Sequence, residues 1–162
     1  MFYMSHGTYH TSNTRCLPQN YTFIQDTQQV KVGSLVVDAF AVPHDGTECL
    51  GYRIEYNKHW VGVITDLGMM THKILAKMKT LSILAFEFNH DENMLRNGPY
   101  PFQIQQRILS SLGHLSNRQA ATALEKAISP KFKNGILECR RVLCLCPSQS
   151  CHGVKLTLGR WP

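Results

Sequence analysis

Residues 29–65 read QVKVGSLVVDAFAVPHDGTECLGYRIEYNKHWVGVIT, and this stretch constrains the fold more than any other in the chain. β-Branched and aromatic residues dominate it, and turn-forming dipeptides interrupt it at hairpin spacing. Gly33-Ser34 suits a two-residue hairpin with glycine first. Residues 35–42 are nearly all apolar, as expected of a strand covered on both faces. GYRIEY then alternates, with Tyr52, Ile54 and Tyr56 on one face and Arg53 and Glu55 on the other. Asn57-Lys58 turns the chain into HWVGVIT, another strand, which ends at Asp66-Leu67-Gly68.

Beyond Gly68 the period changes. A helix is predicted from about Thr71, whose hydroxyl can cap it, with Ile74, Leu75 and Met78 inward. LSILAFEF, residues 81–88, is a buried-strand candidate, and Pro99 and Pro101 punctuate the loop after it. FQIQQRILSSL places Ile104, Ile108 and Leu112 at helical spacing. In SNRQAATALEKAI, Ser116 and Gln119 have capping-box spacing, and Ala120, Leu124, Ala127 and Ile128 form a buried stripe. Strands first, then strands alternating with helices, predict an α/β architecture with helices on at least one face of the sheet. Residues 1–28 are polar and weakly patterned, and no internal repeat is present.

Composition sets the remaining bounds. With 162 residues, 43% of them hydrophobic and 17% charged, the chain has the size and content of one globular domain. No apolar run approaches the ~20 residues of a membrane span. The opening MFYMSHGTYH lacks the pattern of a signal peptide, so a cytoplasmic location is expected. A formal charge of +6 favours an anionic partner such as nucleic acid, although a basic surface can also serve solubility alone. Of the six cysteines, Cys16 and Cys49 are isolated while Cys139, Cys144, Cys146 and Cys151 crowd the last quarter. That is a local cluster rather than a disulfide framework.

The polar residues at strand ends carry the chemistry. His44 follows one strand, Asp66 ends another, Asn89-His90-Asp91 follows a third, and His114 precedes a capped helix in GHLSN. In sheets of this class the loops beyond strand ends converge on a rim where metals and ligands collect. Each residue also has an ordinary reading. Asp66 can cap a turn, His114 and Ser116 a helix, and His90 and Asp91 are turn formers. Four such loops in orderly series favour a shared site.

The series AVPHDG…GYRIEY, VITDLG, FEFNHDENMLRNGPYP and LGHLSNRQAA resembles the second half of the metallo-β-lactamase-fold hydrolases. The nearest branch is the YycJ (WalJ) group, with ribonuclease Z more distant. The resemblance implies part of an αβ/βα sandwich, a mixed sheet with covering helices, bearing two divalent metal ions, zinc or manganese, on its rim. His44 and Asp66 match metal ligands, Asp66 the bridging one. His114 matches the histidine that helps protonate the leaving oxygen, and Glu87 falls where it would orient that histidine. Asn89, His90 and Asn117 are expected at the substrate. The implied activity is a phosphodiesterase, specifically an exonuclease acting on DNA.

Two departures from the family pattern matter. The His-x-His-x-Asp-His motif, which supplies most of the metal ligands, occurs nowhere in the chain. The C-terminal segment KNGILECRRVLCLCPSQSCHGVKLTLGRWP replaces the family's final strand and His-Leu-Ser segment, and shows no clear helical or strand period. The expected organisation is therefore residues 1–130 as the C-terminal part of the domain and residues 131–162 as a Cys-rich tail without a clear domain. A fragmentary gene or shifted frame would produce both features. Cys144, Cys146, Cys151 and His152 could ligate zinc, but C-x-C-x4-C-H is not the paired spacing of common zinc modules. With so few ligands, metal occupancy is in question. The alternative to an enzyme is a non-catalytic half-domain or basic nucleic-acid-binding fragment, self-associating through an exposed sheet.

Overall fold

The hairpin-rich stretch folds as its turns dictate in the computed structural model, which describes residues 1–13, 17–127 and the backbone of 134–138. Strands β3 (Gln29–Val32) and β4 (Leu35–Ala41) pair antiparallel with Val32 opposite Leu35. Gly33 takes φ +61° at the first turn position, which only glycine adopts without cost. Strands β5 (Leu50–Tyr56) and β6 (His59–Ile64) pair with Tyr56 opposite His59, and both Asn57 (φ 48°) and Lys58 (φ 65°) are left-handed in the turn.

After β6 the chain crosses over through α2 (His72–Met78) to β7 (Ile83–Glu87), which pairs parallel with β6. Helices α3 (Glu92–Arg96), α4 (Phe102–Leu109) and α5 (Asn117–Ala127) follow, and then β8 (Asn134–Glu138), parallel to β7. The result is a six-stranded mixed sheet in sequential order from β3 to β8. The strand at 134–138 lies where the sequence shows no strand period, because its partner in β7 is ~50 residues distant and local pattern does not report it. The cysteine cluster and His152, Cys16 and Ile128 all lie outside the described residues.

Both predicted helices beside the sheet form, and for the reasons expected. The Thr71 hydroxyl accepts the Ile74 N–H at 3.2 Å. At α5 the Ser116 N–H donates to Gln119 Oε1 (2.9 Å) and the Gln119 N–H to Ser116 Oγ (3.3 Å), closing a capping box. Ile74 and Met78 of α2 and Ala120, Ala123 and Leu124 of α5 pack with Phe40, Ile64, Leu84 and Phe86 of the sheet in one buried cluster. On the same face, buried Asp38 accepts from Arg53 (Nη2, 2.6 Å) and Lys77 (2.7 Å). The Ile104/Ile108/Leu112 stripe does not form core. Helix α4 has no buried residue, Ile104 is exposed, and Leu112 lies beyond the helix end.

Two parts of the chain hold structure that its local pattern does not announce. Strand β1 (Phe2–Met4) and strand β2 (Tyr21–Phe23) pair parallel across helix α1 (His6–Thr11), whose N-cap is Ser5. Helix α3 is capped by Asp91, which accepts from the Asn93 (2.9 Å) and Met94 (3.0 Å) N–H groups. Among the described residues no helix is long and apolar enough to cross a membrane.

Candidate metal centre

Antiparallel pairing of β4 with β5 and of β5 with β6, then parallel pairing of β6 with β7, leaves β4, β6 and β7 running the same way. Their C-terminal ends therefore share one edge, and the loops after them carry His44, Asp66 and the segment beyond Glu87. Specific backbone contacts draw these loops together. The Gly68 N–H donates to Pro43 O (2.7 Å), joining the loops after β6 and β4. A parallel bridge links His90 with Ser116, and the Asn117 N–H donates to His90 O (2.8 Å). This docks the His114 segment alongside the extension of β7.

His44, Asp66 and His114 converge as a result. One donor atom from each lies within 4.8 Å of the others, and among the described residues this is the one such group of three. The hydrogen bonds fix which nitrogen each imidazole presents. His44 Nδ1 lies 3.0 Å from Gly113 O, an acceptor only, so Nδ1 carries a proton, while Nε2 faces Asp45 Oδ1 at 3.4 Å and can serve a metal only as the neutral imidazole. His114 Nδ1 is bonded to the carboxylate of Glu87, with the same consequence for its proton. A histidine whose far nitrogen donates to a carbonyl or carboxylate is the usual arrangement of a metal ligand, held in orientation and made more basic.

Glu87 is the hub beneath. It is 1% exposed, accepts the Leu67 N–H at Oε2 (2.9 Å) and the Asn89 Nδ2 at Oε1 (3.2 Å), and binds His114. One carboxylate thus fixes both the residue after Asp66 and the imidazole opposite it. Thr65 Oγ1 donates to Asp66 Oδ2 at 3.2 Å. Above the centre is a cleft of about 300 Å³ lined by His44, Asp66, Thr65, Val42 and Cys49. Burial pushes the Cys49 thiol up, so it lines the cleft as a thiol rather than as a charged group.

The three residues expected at the substrate lie to one side. Asn89 (9% exposed) and His90 (4%) are buried, Asn117 is half-buried, and none lines the cleft. Among the described residues, neither ring nitrogen of His90 nor Asn117 Oδ1 has a hydrogen-bond partner. Burial holds the His90 pKa below the usual histidine value. The unfolded chain therefore takes up a proton that the fold resists. Stability should be intact above pH ~6.5, the unfolded value, and fall below it by at most ~1.4 kcal/mol per pH unit from this group. Urea midpoints at pH 7.5 and 5.5 should differ less for His90→Gln than for the parent.

Sequence reasoning does not bring out Asp45 and Arg107 as a pair. Arg107 Nε donates to Asp45 Oδ2, and this bond holds the Asp45 carboxyl below the usual range. It ties α4 to the His44 loop. The only local sign is the His44-Asp45 dipeptide itself.

A metal ion can be weighed against this geometry. Donors held ~2.0–2.1 Å from a tetrahedral ion stand ~3.3 Å apart, so atoms up to 4.8 Å from each other would close by as much as ~1.5 Å to share one. His44 and Asp66 offer an imidazole and a carboxylate, which suit zinc or manganese, and with His114 kept as a proton carrier beside them further positions stay open. The residues fit one ion.

Comparison with known proteins adds lineage to this geometry. Residues 4–132 match the family described as "Beta-lactamase superfamily domain". The chain is 36% identical over 119 residues to the "Exodeoxyribonuclease YycJ" of Bacillus anthracis, covering 73% of this chain and 45% of that protein. It is 32% identical over 101 residues to the "Exodeoxyribonuclease WalJ" of Streptococcus pneumoniae, covering 62% and 38%. The chain thus spans less than half the length of the curated relatives it matches. Among solved structures, the metallo-beta-lactamase fold protein YhfI from Bacillus subtilis superposes with TM-score 0.50 at 15% identity, covering 73% of this chain and 42% of that one. A diphosphatase of the PhnP family gives the same TM-score and identity, covering 73% and 37%. These two likenesses concern the fold alone.

Proposed function

Since the chain belongs to the beta-lactamase superfamily, we propose that it carries part of a metal-dependent phosphodiesterase site acting on nucleic acid, with DNA the substrate. The observation that supports this most is the convergence of His44, Asp66 and His114 over a buried carboxylate. His44, through Nε2, and Asp66 would hold the ion. A divalent ion bound there supplies Lewis-acid stabilisation of the phosphoryl oxygens and an activated water. His114 Nε2 delivers a proton to the leaving oxygen, and the Glu87 carboxylate on Nδ1 stabilises the charged imidazole while the proton is held. Asn89 steadies Glu87 from beneath, and of the three residues expected at the substrate it alone bonds to a group of the centre, while His90 and Asn117 stand to one side of the cleft. The family resemblance implies a second ion, whose donors come from outside the described group.

Metal titration and hydrolysis of bis-p-nitrophenyl phosphate with added zinc or manganese test the reading. Chelator-sensitive turnover is expected. His44→Ala should lose metal and turnover together, whereas His114→Ala should keep the metal and lose ~10²-fold or more in rate. Absence of metal binding in the parent chain would overturn the proposal.

A second reading has its own observation. On the face turned away from α2 and α5, Val30, Val37, Ile54, Val61 and Ile83 stand opposite one another in a ladder across five strands, each half-buried. None belongs to the core cluster. An aliphatic face of this kind favours self-association, which replacing Ile54 by Lys would disperse in a sedimentation experiment.

A further inference from the structure

A second depression in the surface lies between α2 and α5, with a volume of about 640 Å³. Its apolar lining is Met70, Leu75, Leu115 and Ala123, with the exposed Met69 at its edge. Its lining joins the metal centre through the chain, since Leu115 follows His114 directly and Met69 lies three residues beyond Asp66. From there it follows α5, where Arg118, Thr122 and Lys126 recur every four residues, ~6 Å apart along the axis. His72 stands on the lining from the α2 side. Among the described residues no aspartate or glutamate lines it.

We propose that this groove holds a single-stranded segment of nucleic acid leading to or from the metal centre, with its phosphates along α5 and its bases on the apolar lining. The inference rests on the phosphodiesterase reading and names the path of the substrate for that site. The charge favours a polyanion, since every ionisable side chain on the lining is basic. Arg118 is shared with Glu92, whose carboxylate takes its Nη2 at 3.0 and 3.2 Å, so it offers N–H donors rather than net charge. Its side chain is 80% exposed and can reach a phosphate. Lys126, exposed in the last turn, supplies the charge, and Thr122 between the two is exposed but neutral, its hydroxyl donating to Arg118 O at 3.0 Å. The methionine-bearing lining suits bases of any identity, because a thioether packs favourably against an aromatic ring and adapts its shape. Spacing and lining together describe binding that follows a strand without reading its sequence.

Fluorescence anisotropy of a labelled twelve-residue oligothymidine, with chelator present to prevent turnover, tests the groove. Binding should weaken as salt rises. Lys126→Gln should weaken it ~3–10-fold at low salt and reduce the salt slope by about one. Thr122→Glu, on the exposed face of α5, should weaken it further, with circular dichroism unchanged. Bis-p-nitrophenyl phosphate is too small to extend from the metal centre to Thr122 or Lys126, so its hydrolysis should be unaffected by either variant. Oligonucleotide binding indifferent to both substitutions would overturn the groove while leaving the phosphodiesterase reading intact. Failure of the parent chain to bind the oligonucleotide, with the groove instead taking a hydrophobic peptide, would also overturn it. Groove-dependent binding by a chain that takes up no metal in a separate titration without chelator would support the groove and sink the phosphodiesterase reading.

Discussion

Replacing Glu87 by alanine is expected to cost about 3–5 kcal/mol of stability, the largest loss for any single side chain near the site. The carboxylate is 1% exposed and serves three groups: the Leu67 N–H, the Asn89 amide and His114 Nδ1. Truncation leaves those donors buried without an acceptor, at ~1–3 kcal/mol each before relaxation, and opens a cavity as well. Glu87→Gln should lose about half as much, since its carbonyl oxygen still accepts one donor while its NH2 group meets another. The functional consequence is separate. Leu67 adjoins Asp66, and His114 takes its orientation from Glu87, so two of the three converging groups lose their anchor. Metal affinity should fall ~10–100-fold in Glu87→Gln even where the protein remains folded. Urea denaturation and zinc competition with a chromophoric chelator read the two effects independently. A loss below ~1 kcal/mol for the alanine variant would mean water replaces the carboxylate readily.

The features legible in the sequence were those that announce themselves within a few residues. Gly33-Ser34 and Asn57-Lys58 determine two hairpins by their own backbone preferences, and Thr71 and the Ser116/Gln119 pair cap the helices they precede. The positions of His44, Asp66 and His114 at strand or helix ends were visible for the same reason, and strand direction then brings them together. What the sequence concealed depends on pairing between distant segments. The parallel pair β1–β2 unites three-residue strands across α1, too short to show a period. Ile104 and Leu112 have helical spacing, yet α4 sits at the surface, tied to the His44 loop through Arg107 and Asp45 rather than through an apolar face. Hydrophobic period identifies a face that can be buried; whether anything covers it is settled by the tertiary fold.

The same distinction between local and distant constraint separates two glycines. Gly113→Ala is expected to be severe, because its Cβ would stand 2.2 Å from the carbonyl oxygens of both Arg107 and Ile108. Those oxygens belong to α4 backbone and cannot turn aside. The Ile108 carbonyl also accepts the His114 N–H at 2.9 Å, and Gly113 O accepts His44 Nδ1 at 3.0 Å. Relief of the clash must therefore move the segment that orients both imidazoles. We expect a loss of ~1–3 kcal/mol from overpacking, together with a ~10–100-fold fall in metal affinity. Gly33→Ala provides the comparison. Its φ of +61° strains any side chain, at ~1–2 kcal/mol, but nothing lies within 4 Å of the added carbon and the turn is remote from the centre. It should therefore be destabilised to a similar degree while binding metal like the parent. Zinc titration of both variants, at a temperature where each is folded, decides the matter. Equal loss of metal in the two would show that binding follows global stability, whereas loss in Gly113→Ala alone would place the orientation of His44 and His114 in the backbone of the loop between α4 and α5.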